Sequence, residues 1–178
     1  HIDITSSVYG GMVKMIDDME HMSFQARNLA RGAKIFDTMV SDKECVIFLT
    51  LAGSLVSAGL KKVIVDLIQN NMVDVIVSTG ANVVDQDFFE ALGFKHYKGS
   101  PDSDDNLLRK MSIDRIYDTY IDEVDLKTCD NTIANLCSDL DKRPYSSREF
   151  IWEMGKFLEK NNQYEKTRDE SIVYNCYK

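Results

Sequence analysis

The sequence feature that most constrains the fold is a nearly unbroken apolar run, Cys45–Ala52, which Gly53 and Ser54 end. The run is rich in β-branched and aromatic residues, which is typical of a strand buried on both faces of a parallel sheet. From Ser57 onward the hydrophobic period becomes helical, with apolar residues at Leu60, Val63, Ile64, Leu67 and Ile68. This part of the chain is therefore predicted to run strand, tight turn, helix.

The same order repeats directly afterwards. Asn70 and Asn71 end the helix, Val73–Ser78 predicts a second strand, and residues 79–82 form a turn before a helix that reaches Leu92. This is the βαβ unit of a parallel sheet, and its crossover is expected to be right-handed. We therefore predict an α/β fold, a Rossmann-like parallel sheet with helices on both faces, which is incomplete in this chain.

Two turns built of small residues, 52–57 and 78–82, follow the two predicted strands. Ligands of such sheets bind outside the carboxyl ends of the strands, and small residues let the backbone approach a dinucleotide closely. Neither GxGxxG nor GxxxxGK[ST] occurs in the sequence. Ser54 and Ser57 lack an evident base, so we interpret them as hydroxyl donors to a ligand rather than nucleophiles. The residues alone predict an α/β domain with a nucleotide-type site.

Helices are also predicted outside this unit, in segments near residues 24–40, 125–140, 147–158 and 170–177. Ser23 is a candidate N-cap for the first of them. Ser146–Glu149 and Thr167–Glu170 each have the spacing of a capping box that opens a helix. Residues 95–123 are less regular and are expected to cover the ligand edge of the sheet.

The charge balance argues against nucleic acid as a partner. The 178 residues include 21 Lys and Arg against 29 Asp and Glu, a net charge of −8, whereas a phosphate-binding surface needs clustered cations. An acidic surface suits a cationic ligand or a basic partner protein, and it serves solubility equally well. The four cysteines form no CxxC pair and imply neither a disulfide framework nor a zinc site. Without a long apolar span or a secretory signal, a cytoplasmic protein with no membrane association is expected.

Several long segments resemble the deoxyhypusine synthase family. The most specific are Phe48–Gly59, FLTLAGSLVSAG, and Asn70–Asn82, NNMVDVIVSTGAN, which follow each other at the family's spacing. The resemblance begins at Phe24–Asn28 and continues through Tyr177. Within it, Glu90–Gly93, Asp114–Asp118 and Tyr145–Glu149 resemble the archaeal and bacterial branch. The resemblance covers nearly the whole chain, so residues 1–178 are interpreted as the N-terminal part of a single NAD-binding domain.

The resemblance implies an activity, a cofactor and partners. Members of the family bind NAD, oxidise spermidine and pass its 4-aminobutyl group through a lysine imine. The usual acceptor is a lysine of the precursor of the hypusine-bearing translation factor. Family members are homotetramers with active sites at a dimer interface, so this chain is expected to form a homotetramer or to pair with a chain that carries the catalytic half.

The resemblance also implies which residues contact NAD. In the first turn these are Gly53, Ser54, Leu55, Val56 and Ser57, and in the second turn Thr79, Gly80 and Ala81. Asp85 matches, with a shift of about one residue, an acid near the cofactor and the polyamine. A carboxylate there could line the path of a polycation, or it could be an acid favoured by the helix dipole. Gly53-Ser54 departs from the Ser-Asn pair of the eukaryotic enzymes.

The family's nucleophilic lysine, in a C-terminal Trp-Gly-Lys motif, has no match in this sequence. Lys156 follows Trp152 on an amphipathic helix far upstream and is not interpreted as that nucleophile. No catalytic residue is therefore assigned, and the catalytic C-terminal part is expected to be disordered, cleaved or on another chain. An incomplete sheet would expose an edge and an apolar face, so the fragment alone is expected to be unstable or associated.

Two alternatives stay open at this stage. The acceptor could be putrescine, which would make the enzyme a homospermidine synthase. The chain could also be a non-catalytic paralogue that binds a catalytic subunit and regulates it.

Overall fold

The computed structural model describes residues 4–178, and their side chains from residue 11 onward. Two units each pack on themselves, one ending at Ile47 and the other covering Phe48–Lys178. The paired strands and all the predicted cofactor contacts belong to the second unit.

The first unit is helical. α1 covers Ile4–Asp18, a short 3-10 turn covers Met19–His21, and α2 covers Phe24–Ser41. Gly11 interrupts α1 with a φ of 69°, a left-handed conformation that glycine adopts at little steric cost. Ser23 is extended at the start of α2, as predicted for an N-cap, although its side chain makes no capping hydrogen bond.

A parallel pair of strands opens the second unit. β1 covers Phe48–Leu51 and β2 covers Val75–Ser78, with Leu51 beside Ser78. A π-helical segment, Val56–Leu60, and α3, Lys61–Gln69, connect them. The predicted order of strand, turn, helix and strand is therefore confirmed.

A continuous helix follows β2. Its π-helical segment, Ala81–Phe88, runs directly into α4, Phe89–Ala91, and we refer to the whole as the 81–91 helix. It occupies the place of the predicted second helix, so the strand, turn and helix order repeats as expected.

Among the described residues, one face of the two-stranded sheet is covered and side chains on the other are largely exposed. Leu49, Leu51 and Ile76 pack against a buried apolar cluster that contains Val56, Ile64, Val65 and Ile172. On the opposite face Phe48 is 62% exposed and Val77 is 53% exposed. The α/β class is confirmed, but the predicted burial of the strands on both faces is not found among residues 11–178, since the cluster lies against one face only.

An antiparallel sheet occupies the region that the sequence left irregular. Its strands are β3, Tyr97–Lys98, β4, Ile113–Ile116, and the central β5, Thr119–Asp122, and α5, Asp105–Lys110, precedes β4. Sequence patterns missed this sheet because its strands are two to four residues long. Its hairpin turn also places Tyr117, instead of a glycine, at a φ of 59°.

Side-chain caps begin the two longest helices of the second unit. α6 covers Glu123–Asp139, and the Asp122 carboxylate accepts from two of its first backbone amides. α7 covers Ser147–Lys160. The predicted capping box is confirmed: the Ser146 hydroxyl accepts from the Glu149 N–H at 3.2 Å, and the Glu149 carboxylate accepts from the Ser146 N–H at 2.8 Å.

The other predicted capping box, Thr167–Glu170, is wrong. A 3-10 turn, Asn162–Tyr164, and α8, Glu165–Arg168, already cover part of it, and α9, Ile172–Tyr177, begins after it. The Thr167 hydroxyl instead contacts the Ala91 carbonyl oxygen at 2.6 Å. The N-cap of α9 is Ser171, whose hydroxyl accepts from the Tyr174 N–H at 3.1 Å.

The larger hydrophobic core lies where the 81–91 helix meets α6, α7 and α9. Its buried members are Phe88, Phe89, Ala91, Ile121, Cys129, Met154, Leu158, Val173 and Tyr174. Gly155 lets α7 approach α9 closely, because a Cβ at this position would lie 2.3 Å from the Cβ of Tyr177. The core therefore fixes the 81–91 helix from the side opposite the parallel strands.

One buried carboxylate joins α9 to the 81–91 helix. Asp87 is fully buried and accepts hydrogen bonds from the Ser171 hydroxyl at 2.8 Å, the Ile172 N–H at 2.8 Å and the Val173 N–H at 2.9 Å. Burial raises the pKa of Asp87 to about 6, although these three bonds oppose the rise.

Replacing Asp87 with Asn should change how stability depends on pH. The raised pKa means that the folded state binds the Asp87 proton more tightly than the unfolded chain does. The contribution of this proton is therefore fully present below about pH 4 and is lost as pH rises through about 6, a change of about 3 kcal/mol. Urea unfolding of wild type and Asp87→Asn across this range measures it. Parallel curves for the two proteins would contradict the assignment.

Candidate active site

The two predicted cofactor turns lie side by side. We call residues 52–57 the first turn and residues 78–82 the second turn, and each follows the carboxyl end of one of the paired strands. A Cβ built on Gly53 would lie 3.3 Å from the Thr79 hydroxyl oxygen and 3.4 Å from the Ala81 Cβ. The structure therefore brings these three predicted residues together, and glycine is what leaves room between the turns.

Asn82 joins the two turns through its side-chain amide. Its Nδ2 donates to the Ala52 carbonyl at 2.7 Å and lies 3.2 Å from the Ser78 hydroxyl. Its Oδ1 accepts from the Leu55 N–H at 2.8 Å. Asn82 is only 1% exposed, and a buried amide is costly unless its donors and acceptors are paired.

Gln86 lies four residues after Asn82 on the 81–91 helix and supports the end of the first turn. Its Oε1 accepts from the Ser57 N–H at 2.9 Å and lies 3.1 Å from the Ser57 hydroxyl. That hydroxyl also lies 3.2 Å from the Ser54 carbonyl. Gln86 is 1% exposed, so this contact is shielded from water.

Glu90 continues the same face of the 81–91 helix. Its carboxylate pairs with Lys61, the first residue of α3, and lies 2.8 Å from the His96 Nδ1. Burial alone would raise the pKa of Glu90, but the bonds from His96 and Lys61 outweigh it and lower the pKa below its usual range. Asn82, Gln86 and Glu90 are spaced four residues apart, and together they hold the chain from residue 52 to residue 61.

The predicted cofactor residues differ in what they can offer to a ligand. Gly53, Thr79 and Gly80 are exposed, and the position of a Cβ on Gly80 is open space. Val56 is 3% exposed and its side chain belongs to the apolar cluster under the sheet. Only the backbone of Val56 is therefore open to the predicted role.

The backbone N–H groups of Leu55 and Ser57 already donate hydrogen bonds within the protein. The N–H groups of both residues bond to side chains of the 81–91 helix. Ser54 is half-buried, and its carbonyl accepts from the Ala58 N–H at 3.2 Å. The first turn is therefore held largely by its own protein contacts, and ligand contact at these residues remains a prediction.

Asp85 is exposed and lies beside α6. Its carboxylate nevertheless loses part of its contact with water, and this loss and the nearby Asp130 carboxylate of α6 both raise the pKa of Asp85. Successive residues of a helix point in different directions, so Gln86, and not Asp85, faces the first turn. A role for Asp85 towards the cofactor or a polyamine remains a prediction.

Sequence reasoning missed Asn82, Gln86 and Glu90 as parts of this site. The available signal was three polar residues four apart on a helix whose other positions are largely apolar. Such spacing places them on one face, and an apolar environment requires that this face find hydrogen-bond partners.

The turns have the features that a dinucleotide needs. Exposed small residues leave the backbone accessible, and the first amides of the 81–91 helix point towards the second turn, as at any helix start. Among the described residues, no group of three or more His, Cys, Asp or Glu could hold a metal ion. None of the described helices is long and apolar enough to cross a membrane.

Comparison with known proteins assigns the family. The profile of the deoxyhypusine synthase family matches residues 14–178, which is most of the chain. The chain belongs to the deoxyhypusine synthase family. The resemblance recognised from the two turn segments is therefore confirmed.

Curated relatives of the chain include proteins described as deoxyhypusine synthase-like. One from Chlorobaculum tepidum is 61% identical over 178 residues, covering 99% of this chain and 49% of the relative. One from Elusimicrobium minutum is 58% identical over 179 residues, covering 100% of this chain and 46% of the relative. The chain thus spans about half the length of the curated relatives it matches.

A solved structure shares the fold. It is the crystal structure of a candidate deoxyhypusine synthase from Entamoeba histolytica, with a TM-score of 0.56 and 17% sequence identity. The match covers 94% of this chain and 57% of that chain. At this identity the likeness concerns the fold alone.

Gln86 offers a direct test of how the first turn is held. Gln86→Leu removes the acceptor and leaves the part-buried Ser57 N–H unpaired, which should lower the free energy of unfolding by about 1–3 kcal/mol. Ser57→Ala is the matched control, because it removes only the hydroxyl and keeps the N–H bond to Gln86. Chemical denaturation of both variants compares them. A larger loss for Ser57→Ala than for Gln86→Leu would contradict the assignment.

Proposed function

We propose that the chain contributes the NAD-binding part of an enzyme that transfers the 4-aminobutyl group of spermidine to a lysine of the hypusine-bearing translation factor precursor. The observation that carries the proposal is the pair of small-residue turns, joined at the carboxyl ends of two parallel strands, in a member of the deoxyhypusine synthase family. Membership supports the reaction class, and the geometry supports a site for a dinucleotide.

NAD would supply the oxidising chemistry by accepting a hydride from spermidine. The residues that would hold it are Gly53, Thr79 and Gly80 through exposed backbone and hydroxyl groups, with Ala81 beside them. Their part is to bind and orient the cofactor, since holding two reactants in register lowers the entropic cost of reaction.

Acidic groups favour a polyamine substrate. The chain has a net charge of −8, and an acidic surface raises the local concentration of a polycation. Asp85 and Asp130 place two carboxylates near each other on the 81–91 helix and α6. We include Asp85 in the proposal as a group that faces spermidine.

Lys156 has no part in the proposed transfer. Its Nζ donates to the Glu153 carboxylate at 2.9 Å and lies 4.8 Å from the centre of the Trp152 ring. These contacts are made within α7 and occupy the amine. The proposal therefore assigns the nucleophilic lysine to a catalytic part outside these 178 residues, in a cytoplasmic homotetramer or on a partner chain.

Labelled spermidine tests the reaction. The natural gene product is incubated with NAD and spermidine labelled in its aminobutyl group, with either the translation factor precursor or putrescine as acceptor. Label in the precursor supports the proposal, and label only in homospermidine replaces it with transfer to putrescine. If neither is labelled but the protein binds a catalytic subunit and changes its turnover, the regulatory alternative replaces it.

Gly80→Ala tests whether NAD approaches the second turn. Among the described residues, no heavy atom outside its chain neighbours and its own helix lies within 4 Å of a Cβ at this position, so the variant should fold with wild-type stability. If the cofactor approaches this backbone, the added methyl should weaken NAD binding by about tenfold or more. Gly32→Ala, in α2, is the matched control because a Cβ there likewise has no neighbour within 4 Å in the described part of the chain outside its own helix. Calorimetric titration with NAD measures both, and wild-type affinity in Gly80→Ala would remove Gly80 from the site.

A further inference from the structure

The side-chain amide of Asn82 is matched to the two turns in a way that few other side chains could reproduce. One end of the amide donates to the Ala52 carbonyl at 2.7 Å, and the other end accepts from the Leu55 N–H at 2.8 Å. Both partners belong to the first turn, whereas Asn82 ends the second turn. A donor and an acceptor side by side are required, and a carboxylate supplies only acceptors.

Asn82 contacts the turns from inside the protein. At 1% exposure it offers no surface to a ligand, so it can act on a ligand only through the residues that it holds. Those residues, Ala52 and Leu55, lie on either side of Gly53 in the first turn, and Gly53 lies against Thr79 and Ala81 of the second turn. Asn82 is therefore the side chain that bonds the start of the first turn directly to the second.

We propose that Asn82 is a positioning residue of the dinucleotide site. It fixes the first turn against the second, so that Gly53 and Thr79 present one preformed surface. It also accepts the hydrogen bond of the Leu55 N–H. Leu55, a predicted contact residue, therefore does not bind a ligand through its backbone N–H. The inference rests on the proposed function and goes further by assigning the preformed shape of the site to a residue that does not touch the cofactor.

Asn82→Asp separates this role from simple folding because its effect should depend on pH. When ionised, the new carboxylate faces the Ala52 carbonyl with no proton to donate, and the first turn is released. NAD should then bind about ten- to a hundredfold more weakly than in wild type. When protonated, the carboxyl group again has a donor for Ala52 and an acceptor for Leu55, so affinity should recover as pH falls from about 8 to about 5.

The measurement is the ratio of variant to wild-type NAD affinity at each pH, on the natural gene product. Asn82→Ala lacks both groups and should bind weakly at every pH. Asp87→Asn is the matched control, since Asp87 lies on the same helix and is equally buried but bonds to α9; it should keep wild-type affinity. A pH-independent ratio for Asn82→Asp, or wild-type affinity in Asn82→Ala, would overturn the inference.

Hydrogen exchange at the Leu55 amide distinguishes the inference from the proposed function. In wild type this amide should be protected, and in Asn82→Asp it should be protected only at low pH. Loss of protection without loss of NAD affinity would make Asn82 a purely structural residue and overturn the inference. A wild-type protein that binds no NAD while Leu55 stays protected would instead overturn the proposed function, although the two turns are still held by Asn82.

Discussion

Hydrogen bonds from one face of the 81–91 helix set the geometry on which the candidate site depends. Asn82, Gln86 and Glu90 reach successive parts of the chain between the first strand and α3. Each is partly or fully removed from water, where an unpaired polar group costs about 1–3 kcal/mol. Any other placement of the first turn would leave several of these groups without partners at once. The conformation of the first turn is therefore specified by the need to pair these polar groups. The apolar cluster beneath it supplies most of the buried hydrophobic surface.

The same helix is held from its other side by a different kind of contact. Phe88 and Phe89 are fully buried in the larger core, and Asp87 bonds to the start of α9. Hydrophobic packing has little directional preference, so it places the helix without choosing its rotation. The hydrogen bonds determine the rotation, because a helix turned by one residue would point each polar group in a different direction. Packing and polar contacts therefore perform separate tasks on one short helix.

Much of this arrangement could be predicted from local patterns. The apolar run ending at Gly53, the change to helical spacing and the capping box at Ser146 all act over a few residues, and each was confirmed. The misplaced start of α9 and the missed antiparallel sheet have a common cause. Thr167 has the spacing of a cap, but its hydroxyl bonds to Ala91, which is distant in sequence. Strands of two to four residues are too short to show an alternation of apolar and polar residues. Tertiary partners decide such cases, and a single sequence does not display them.

The contrast between Asp85 and Gln86 shows how this limit affects a functional site. The two residues are neighbours in sequence, and the family resemblance allowed a shift of about one position between them. In the structure, Gln86 bonds to the first turn and Asp85 lies beside Asp130 on α6. Under the proposed function, a neutral amide at this position avoids placing a negative charge behind turns that would bind an anionic dinucleotide. Under the same proposal, the Asp85 and Asp130 carboxylates lie towards α6, away from the first turn, where they would attract a cationic ligand.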